Sequence, residues 1–343
     1  MKIKFAVVGC GHIGKRHAEL ITKNMDAELV ALCDVKERSA LQIDQYPVPF
    51  FSSPDFLLNN VSDLDVVNIC TPNGLHAGHT MLALHHDKHV VIEKPMALKK
   101  DDCAEIISLA NKKGKKIFCV MQNRYSSPAV WLKEMIDKNI PGKIYIVNVN
   151  CYWNRDERYY TKDTWHGKKD LDGGTLFTQF SHFIDMLYWL FGDIKNISAQ
   201  FADFSHQQLT AFEDTGLLHF TFENGALGSF HYSTSVNDKN FESSITIIAE
   251  KGTIRVGGQY MEKVLYCDIK DYTMPVLHPV SPANDYGTYK GSAANHHFII
   301  ENVIDTLRGK TKVATTAEEG MKVVDMIERI YTLRPPHVLK DIL

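Results

Sequence analysis

Long apolar runs are missing from this sequence, and their absence excludes several classes of protein. No stretch of about 18 consecutive apolar residues occurs, so we expect no transmembrane helix and no membrane partner. The opening MKIKFAVVGCGHIGK passes from a short apolar run straight into glycines, which is not the pattern of a signal peptide. Internal repeats and low-complexity segments are also lacking, which excludes a collagen-like or largely disordered chain.

An excess of charge of either sign is lacking as well. The chain has 38 Lys and Arg against 41 Asp and Glu, which gives a formal net charge of −3. No long basic run occurs, so we expect no nucleic-acid partner. Hydrophobic residues make up 44% and charged residues 23% of the 343 residues, ordinary values for a globular protein, and the length predicts two domains.

Cysteine is sparse and shows no disulfide or metal pattern. The seven cysteines are scattered without a C-x-x-C motif, and their odd number argues against a disulfide framework. We predict reduced thiols and a cytoplasmic location. The motif His85-His86-x-x-His89 spans a predicted helix end and a predicted strand start, so we do not expect its rings to converge, and we predict no metal site.

Short apolar runs alternate with helical segments in the first third of the chain. Predicted strands are 4–8, 28–33, 65–70, 89–92 and 116–120, and predicted helices are 14–23, 76–88 and 101–113. Apolar strands separated by helices predict a parallel sheet covered on both faces, an α/β domain. We place the domain boundary near 122–125, after the last of these strands.

Strand patterns dominate the remaining two thirds. Predicted strands are 143–153, 194–204, 215–222, 226–233, 242–249, 252–256 and 264–269, and predicted helices are 174–190, 293–307 and 316–331. Asn224-Gly225 between two of these strands is a hairpin signal. The predicted domains are therefore 1–122 and 123–343, the second of them α+β.

The first predicted strand ends in a glycine-rich turn, Gly9-Cys10-Gly11-His12-Ile13-Gly14, that opens a helix. In such a turn Gly9 permits the bend, Gly11 lets the backbone approach a pyrophosphate, and Gly14 lets helix and strand pack closely. The second strand ends in Asp34, whose carboxylate suits ribose hydroxyls. The pattern predicts NAD, because a 2′-phosphate would meet this carboxylate. Lys36 and Arg38 follow closely and keep NADP as an alternative.

Two further strand ends belong to the same edge of the predicted sheet, where ligands of such sheets bind. Cys70-Thr71-Pro72-Asn73, followed by His76, ends one strand, and Glu93-Lys94 ends the next. We expect Asn73 and its backbone to pass under the nicotinamide ribose. A lysine that follows a buried strand into a cofactor cleft suits proton transfer, and a solvated strand-end lysine is the alternative.

Three motifs in this order resemble the Gfo/Idh/MocA family of oxidoreductases. They are Gly9-x-Gly11-x-x-Gly14-x-x-His17, Cys70-Thr71-Pro72-Asn73-x-x-His76 and Glu93-Lys94-Pro95. The resemblance covers essentially the whole chain. It implies an N-terminal Rossmann domain for NAD and a C-terminal domain built on an open, mostly antiparallel sheet. One face of that sheet would serve the active site and the other oligomerisation, as a homodimer or homotetramer.

Aromatic and basic residues crowd the segment that precedes the helix predicted at 174–190. They include Tyr152, Arg155, Arg158, Tyr159, Trp165 and His166, with Lys162, Lys168 and Lys169 among them. Such a segment suits a sugar or nucleobase stacked on aromatic rings and a small anion held by arginines. The alternative is that the aromatics pack under the loop and the charges are solvated.

Gln179, His182 and Asp185 recur three residues apart on the predicted helix and so share one face. In the family the histidine that matches His182 faces the nicotinamide and works beside the lysine that matches Lys94. The family's usual aspartate, four residues before this histidine, is replaced by Thr178. We favour Lys94 as the base and His182 as its positioning partner, and the reverse assignment stays open.

The same segment is similar to the bacterial UDP-N-acetylglucosaminuronate 3-dehydrogenases of O-antigen biosynthesis. The tail motifs Asp285-Tyr286-Gly287-x-Tyr289 and Gly291-Ser292-x-x-Asn295-His296-His297 add to this likeness, and His166 departs from it where that subgroup has arginine. The likeness implies NAD-dependent oxidation of a sugar hydroxyl at C3 to a ketone. The alternatives are a dehydrogenase for inositol, a free sugar or another nucleotide sugar, a deoxy-sugar ketoreductase, and an NAD-binding sensor without turnover.

The motifs and the resemblance together give three predicted sets of site residues. The predicted catalytic residues are Lys94 and His182. The predicted cofactor-binding residues are Gly9, Gly11, His12, Ile13, Gly14, Asp34, Cys70, Thr71, Pro72, Asn73, His76, Glu93, Lys94, Gln122, Trp165 and His166. The predicted substrate-binding residues are Lys94, Arg124, Tyr152, Arg155, Arg158, Tyr159, Thr178, Gln179, His182, Tyr286 and Tyr289.

Overall fold

The computed structural model describes residues 1–161, 164–285, 287 and 290–339, and the chain forms two compact units. The first unit is Met1–Met121 with His296–Val324. The second unit is Gln122–Asn295 with the described residues from Asp325 on. The chain thus leaves the first unit at Met121 and returns to it for a segment near its C-terminal end.

The first unit is built on a six-stranded parallel sheet in the order β3-β2-β1-β4-β5-β6. Its strands are β1 Ile3–Val8, β2 Ala27–Cys33, β3 Phe50–Phe51, β4 Val66–Ile69, β5 His89–Ile92 and β6 Ile117–Cys119. Residues 5–8, 66–69 and 90–92 are all buried. The near-continuous apolar runs follow from this burial on both faces, and the predicted parallel sheet is confirmed.

Helices connect these strands. They are α1 His12–Lys23, α2 Arg38–Leu41, α3 Pro54–Asn60, α4 His76–His85 and α5 Lys100–Lys113. The sequence patterns missed β3 and α3, because a two-residue strand and a seven-residue helix are too short to show a period. Ser53 begins α3 by accepting a hydrogen bond from the Phe56 N–H at 3.2 Å, with Pro54 in the first turn.

The returning segment covers the edge of this sheet. Its helices are α10 His296–Leu307 and the first part of α11 Ala317–Tyr331. The Cys119 N–H, on edge strand β6, donates to the Thr315 carbonyl at 3.1 Å, and the Thr315 hydroxyl donates to the Cys119 carbonyl. An exposed strand edge would present unpaired backbone groups, and Thr315 satisfies two of them.

The second unit is built on a seven-stranded sheet in the order β13-β12-β11-β7-β10-β9-β8. Its strands are β7 Ile144–Tyr152, β8 Ile194–Ala202, β9 Thr215–Phe222, β10 Leu227–Ser233, β11 Glu242–Ala249, β12 Gly252–Gly257 and β13 Lys263–Ile269. Among the described strands of this sheet only the β7–β10 pair is parallel, so the predicted open, mostly antiparallel sheet is confirmed. Burial alternates along β9, as expected for a sheet with one packed face.

The helices of the second unit are α6 Ser127–Asp137, α7 Lys169–Asp172, α8 Thr175–Thr178 and α9 Ser181–Phe191, and α11 ends in it. The helix predicted at 174–190 is therefore two helices, interrupted at Gln179 and Phe180. The helix predicted at 293–307 starts only at His296, because β15 Lys290–Ala293 pairs with β14 Ala283–Asp285.

No helix in the described part of the chain is long and apolar enough to span a membrane. All seven cysteines are free thiols, and six of them are buried.

Candidate functional site

The glycine-rich turn after β1 has no room for side chains at two of its glycines. Gly9 has a φ of +92°, and a Cβ on it would lie 2.5 Å from the Cys70 carbonyl oxygen. A Cβ on Gly14 would lie 1.7 Å from the Gly9 carbonyl oxygen. The close approach of α1 to the ends of β1 and β4 therefore requires glycine at both positions.

Gly11, unlike Gly9 and Gly14, has open space beside its backbone. A Cβ on it would meet no atom within 4 Å, so its backbone borders open space at the N-terminus of the twelve-residue helix α1. His12 is exposed and Ile13 is half-buried beside it. Backbone N–H groups and the helix dipole favour an anion at such a place, which fits the pyrophosphate of NAD.

Asp34 is held at the end of β2 by backbone donors. Its Oδ2 accepts from the Cys10 N–H at 2.7 Å, and its Oδ1 accepts from the Lys36 N–H at 2.9 Å. The carboxylate is half-buried beside the glycine-rich turn and keeps acceptor capacity for ribose hydroxyls. The residues present therefore fit the ribose of NAD as well as its pyrophosphate.

The Arg38 side chain points toward the loop that follows α2. Its Nη1 donates to the Val48 carbonyl at 2.9 Å and its Nη2 donates to the Tyr46 carbonyl, while its Nε lies 3.5 Å from Asp44. The guanidinium is thus engaged with loop oxygens instead of being offered to a 2′-phosphate. This arrangement supports NAD over NADP as the cofactor.

His76 bridges two of the predicted strand ends. Its Nε2 lies 2.8 Å from the Thr71 carbonyl and its Nδ1 lies 2.7 Å from the Pro95 carbonyl. The ring is buried, and burial lowers its pKa. His76 therefore holds together the loops after β4 and β5, the latter carrying Lys94, and Asn73 is buried in the first of them.

Glu93 and Lys94 follow β5 as predicted. The Glu93 Oε1 lies 3.0 Å from His17 Nε2 and 3.5 Å from His296 Nε2, and its Oε2 accepts from the Lys94 N–H at 3.2 Å. Burial alone would raise the pKa of this carboxyl, but the contacts from both histidines outweigh it and hold the pKa well below its usual value. Lys94 itself is half-buried.

In the second unit, His182 lies in the first turn of α9 and is 2% exposed. Gln122, at the start of a short 3₁₀ helix, donates from its Nε2 to His182 Nε2 at 3.1 Å and to Ser292 Oγ at 2.9 Å. The structure thus joins two of the predicted residues, Gln122 and His182, with a serine that the patterns did not assign to the site.

Arg155 is buried under aromatic rings. Its guanidinium lies 4.9 Å from the centre of the Trp153 ring and 5.1 Å from that of Tyr159. Its Nε donates to Gln179 Oε1 at 2.7 Å, and its Nη1 donates to Asn240 Oδ1 at 3.1 Å. A buried cation stacked between rings is suited to an anionic sugar or phosphate group.

Gln179 and Thr178 are engaged at the break between α8 and α9. Gln179 accepts from Arg155, and its Nε2 donates to the Tyr159 hydroxyl at 2.9 Å. The Thr178 hydroxyl contacts the Asp172 carboxylate, whose other oxygen accepts from the Gly167 N–H at 2.8 Å. The position where the family has an aspartate is therefore a threonine that contacts one.

Arg124 and Arg158 are both in ion pairs. Arg124 is buried and donates from Nε to Asp185 Oδ2 at 2.9 Å, with a second bond from Nη2 to Oδ1 at 2.5 Å. Arg158 is exposed and donates from Nη2 to Asp156 at 2.7 Å, which lowers the pKa of that carboxyl. Arg124 orients the helix that carries His182, since Asp185 lies three residues further along α9.

The aromatic part of the segment forms a stack. The His166 ring lies 4.1 Å from the Trp165 ring and 4.2 Å from the Tyr159 ring, between centroids. Tyr152 is half-buried and donates to Asn150 Oδ1 at 3.2 Å. Tyr286, Tyr289 and Lys162, also named in the predictions, lie outside the described residues.

Sequence patterns missed two polar residues that complete this site. Asn240 Oδ1 accepts from Arg155 and from the Asn154 N–H at 3.0 Å, and Ser292 accepts from Gln122. Both are buried, and each lies more than 80 residues from its partner along the chain. No local pattern marks such residues, although Ser292 falls within the tail motif already noted.

The comparisons with known proteins agree with this geometry. Residues 3–121 match the model of an oxidoreductase family with an NAD-binding Rossmann fold, and residues 130–255 match the GFO/IDH/MocA C-terminal domain. The WlbA dehydrogenase from Chromobacterium violaceum, solved with NADH and UDP-GlcNAcA, is 32% identical over 97% of this chain and 93% of its own, with a TM-score of 0.86.

Two further relatives cover nearly the whole chain. The WlbA dehydrogenase from Bordetella pertussis, also solved with NADH and UDP-GlcNAcA, is 32% identical over 97% of this chain and 96% of its own, with a TM-score of 0.84. The D-glucoside 3-dehydrogenase of Escherichia coli is 25% identical over 96% of this chain and 94% of its own. The chain therefore belongs to the Gfo/Idh/MocA family, as an NAD-dependent oxidoreductase that acts on the CH–OH group of a sugar or polyol.

Proposed function

We propose that this protein oxidises the C3 hydroxyl of UDP-N-acetylglucosaminuronic acid to a ketone. The observation that carries the proposal is the 32% identity, over 97% of the chain, to two dehydrogenases solved with NADH and UDP-GlcNAcA. The buried, ring-stacked Arg155 supports it, because this substrate carries a carboxylate and a diphosphate. We further propose that the first unit takes the cofactor and the second unit takes the sugar nucleotide.

NAD, when bound, accepts a hydride from the carbon that carries the reacting hydroxyl. Gly11 and the start of α1 would hold its pyrophosphate, and Asp34 would accept hydrogen bonds from its ribose. The predicted contacts of the Cys70–Asn73 loop, Trp165 and His166 with the cofactor are part of the same proposal.

Lys94 accepts the proton of the substrate hydroxyl in this proposal. A lysine amine does so only where its surroundings favour the neutral form. Partial burial and the positive charge of the nicotinamide ring of NAD both have this effect. His182 orients this hydroxyl. Arg155, Tyr159, Gln179 and Arg158 contribute to the binding of the sugar nucleotide, with Tyr152, Arg124, Thr178, Tyr286 and Tyr289 as further predicted contacts.

A second candidate is oxidation of inositol or a simple glycoside. Inositol 2-dehydrogenase of Salmonella typhimurium is 30% identical over 59% of this chain, and the E. coli D-glucoside 3-dehydrogenase matches nearly all of it. This candidate predicts turnover of a substrate without a diphosphate.

The proposal includes a homodimer or homotetramer in the cytoplasm. Leu217, Leu227 and Ile248 are 39–59% exposed on one face of the large sheet, and an apolar face of this kind suits contact with a second copy. Reduced thiols suit the cytoplasm. Light scattering after size-exclusion chromatography measures the oligomeric state, and a monomer would contradict the proposed homo-oligomer.

The test of function uses the full chain with NAD and three substrates in parallel: UDP-N-acetylglucosaminuronic acid, myo-inositol and a methyl glucoside. We expect NADH absorbance and a mass loss of two hydrogens with the nucleotide sugar alone. A 2-keto acid is added as an oxidant, so that a tightly held cofactor is recycled. Turnover of inositol or the glucoside without turnover of the nucleotide sugar would favour the second candidate.

Lys94→Met tests the proton acceptor. General base catalysis contributes roughly 10²–10⁴-fold, so we expect a loss of kcat of about this size with NAD binding kept. Lys99→Met, at an exposed lysine nearby, is the matched control and leaves kcat unchanged. Near wild-type turnover by Lys94→Met would show that Lys94 is not the base.

A further inference from the structure

Gln122 holds the imidazole of His182 from one side. Its Nε2 donates to His182 Nε2 at 3.1 Å and to Ser292 Oγ at 2.9 Å. Gln122 is 3% exposed, so water does not compete for these bonds. Its backbone carbonyl accepts from Asn295 Nδ2 at 3.3 Å. Both the backbone and the side chain of Gln122 are therefore held in place.

The two hydrogen bonds also decide which way the amide faces. Nε2 carries two N–H groups and meets two acceptors, whereas the buried Oε1 has no hydrogen-bond partner among the described residues. Turning the amide over would leave two buried N–H groups without acceptors in place of one oxygen. Each unsatisfied buried group costs about 1–3 kcal/mol, so the orientation with N–H toward His182 is favoured.

This orientation determines where His182 carries its proton. A ring nitrogen that accepts a hydrogen bond must keep its lone pair, so the proton of the neutral imidazole lies on Nδ1. Adding a proton to Nε2 would bring one N–H group against another. The amide of Gln122 thereby opposes proton uptake at the nitrogen it contacts.

We propose that Gln122 is a positioning residue that holds His182 as the neutral Nδ1–H tautomer. His182 then orients the substrate as a hydrogen-bond donor, and the O–H bond of the substrate breaks as its proton moves to the Lys94 amine. This inference rests on the proposed function and reduces its two candidate bases to one.

Nitrogen NMR of the full chain labelled with ¹⁵N-histidine tests the tautomer without any substrate. His182→Asn identifies the signals of His182. We expect a pyrrole-type signal for Nδ1 and a pyridine-type signal for Nε2. Gln122→Glu replaces the donor with an acceptor and moves the proton to Nε2, whereas Gln200→Glu, the same change at an exposed glutamine of β8, leaves the tautomer unchanged. An Nε2–H tautomer in the wild-type protein would overturn the proposal even if no variant folds.

Kinetics separate this inference from the proposed function. Misplacement of a catalytic group costs up to about 100-fold, so we expect Gln122→Glu to lower kcat by roughly 10–100-fold with little change in KM for NAD. A raised KM for NAD with an unchanged kcat would assign Gln122 to the cofactor and overturn the positioning role. If the wild-type protein oxidises none of the sugars, the proposed function fails, and the wild-type spectrum still decides the tautomer.

Discussion

Replacing Glu213 with glutamine breaks a buried ion pair that joins the C-terminal end of α11 to the sheet of the second unit. Glu213 is fully buried, and its Oε2 accepts from Arg334 Nη1 at 2.8 Å. Its Oε1 accepts from the hydroxyls of Tyr232 at 2.9 Å and Tyr331 at 2.8 Å. Glutamine keeps the oxygen that accepts from the tyrosines, but it removes the negative charge and puts an NH2 donor where Oε2 accepts from Arg334. The change therefore leaves the Arg334 cation, whose side chain is 10% exposed, without its counter-charge.

The expected loss is large because a buried charge is left uncompensated. Breaking such a pair costs about 3–5 kcal/mol. A domain of this size loses roughly 2–4 °C in Tm for each kcal/mol, so we expect a fall of about 6–20 °C. Because the Tyr331 hydroxyl also accepts from the Leu176 N–H at 2.8 Å, the start of α8 should loosen as well.

Thermal and urea unfolding measure this loss against two controls. Glu134→Gln removes an exposed charge that lies 3.3 Å from Lys138, and such surface pairs contribute about 0–1 kcal/mol. The double variant Glu213→Gln with Arg334→Met removes the stranded cation and should be more stable than Glu213→Gln alone. A Tm for Glu213→Gln equal to that of Glu134→Gln, or a double variant no better than the single one, would refute the argument.

Three further predictions concern the first unit. Asp34→Asn weakens NAD binding by roughly 10–150-fold in calorimetry, because hydrogen bonds to a charged group contribute about 1.5–3 kcal/mol, and an unchanged Kd would contradict the assigned role. Gly14→Ala places a Cβ 1.7 Å from the Gly9 carbonyl and should abolish NAD binding, whereas Gly78→Ala, at an exposed position of α4 with open space around it, should retain it. Glu93 has a lowered pKa in the folded chain, so its stabilisation is present above its ordinary pKa and is lost as the pH falls toward the folded value. The difference in unfolding free energy between wild type and Glu93→Gln should become smaller as the pH falls. A difference independent of pH would contradict the claim that the ionised Glu93 carboxylate stabilises the fold.

The two sheets were predictable because their signals are local. A parallel strand buried on both faces is apolar throughout, and an antiparallel strand with one packed face alternates, so each can be identified from five to nine residues. The single helix predicted at 174–190 is interrupted at Gln179, because of contacts with residues outside that segment. Gln179 is held between Arg155 and Tyr159, and Thr178 contacts Asp172, so the chain bends where its own periodicity continues.

The candidate site likewise contains residues that local sequence patterns predict and residues that only long-range contacts identify. Gly9, Gly14 and Asp34 belong to one turn and the strand beside it, and their spacing alone indicates their roles. Asn240 and Ser292 acquire a role only through contacts with residues more than 80 positions away. Sequence patterns show which residues are chemically able to act, and the tertiary structure decides which of them already have partners.

The cluster of His17, Glu93 and His296 shows how such partners change an interpretation. Their ligand atoms lie within 4.8 Å of one another, a spacing that a metal ion could also use. Asn68 Nδ2, however, donates to His17 Nδ1 at 2.8 Å, which places the ring proton on Nε2, facing Glu93 at 3.0 Å. A metal would need a lone pair at that same nitrogen. The cluster is therefore better explained as a hydrogen-bonded tie of α10 to α1 and to the end of β5, and together with Thr315 at the edge of β6 it explains why residues 296–324 return to the first unit.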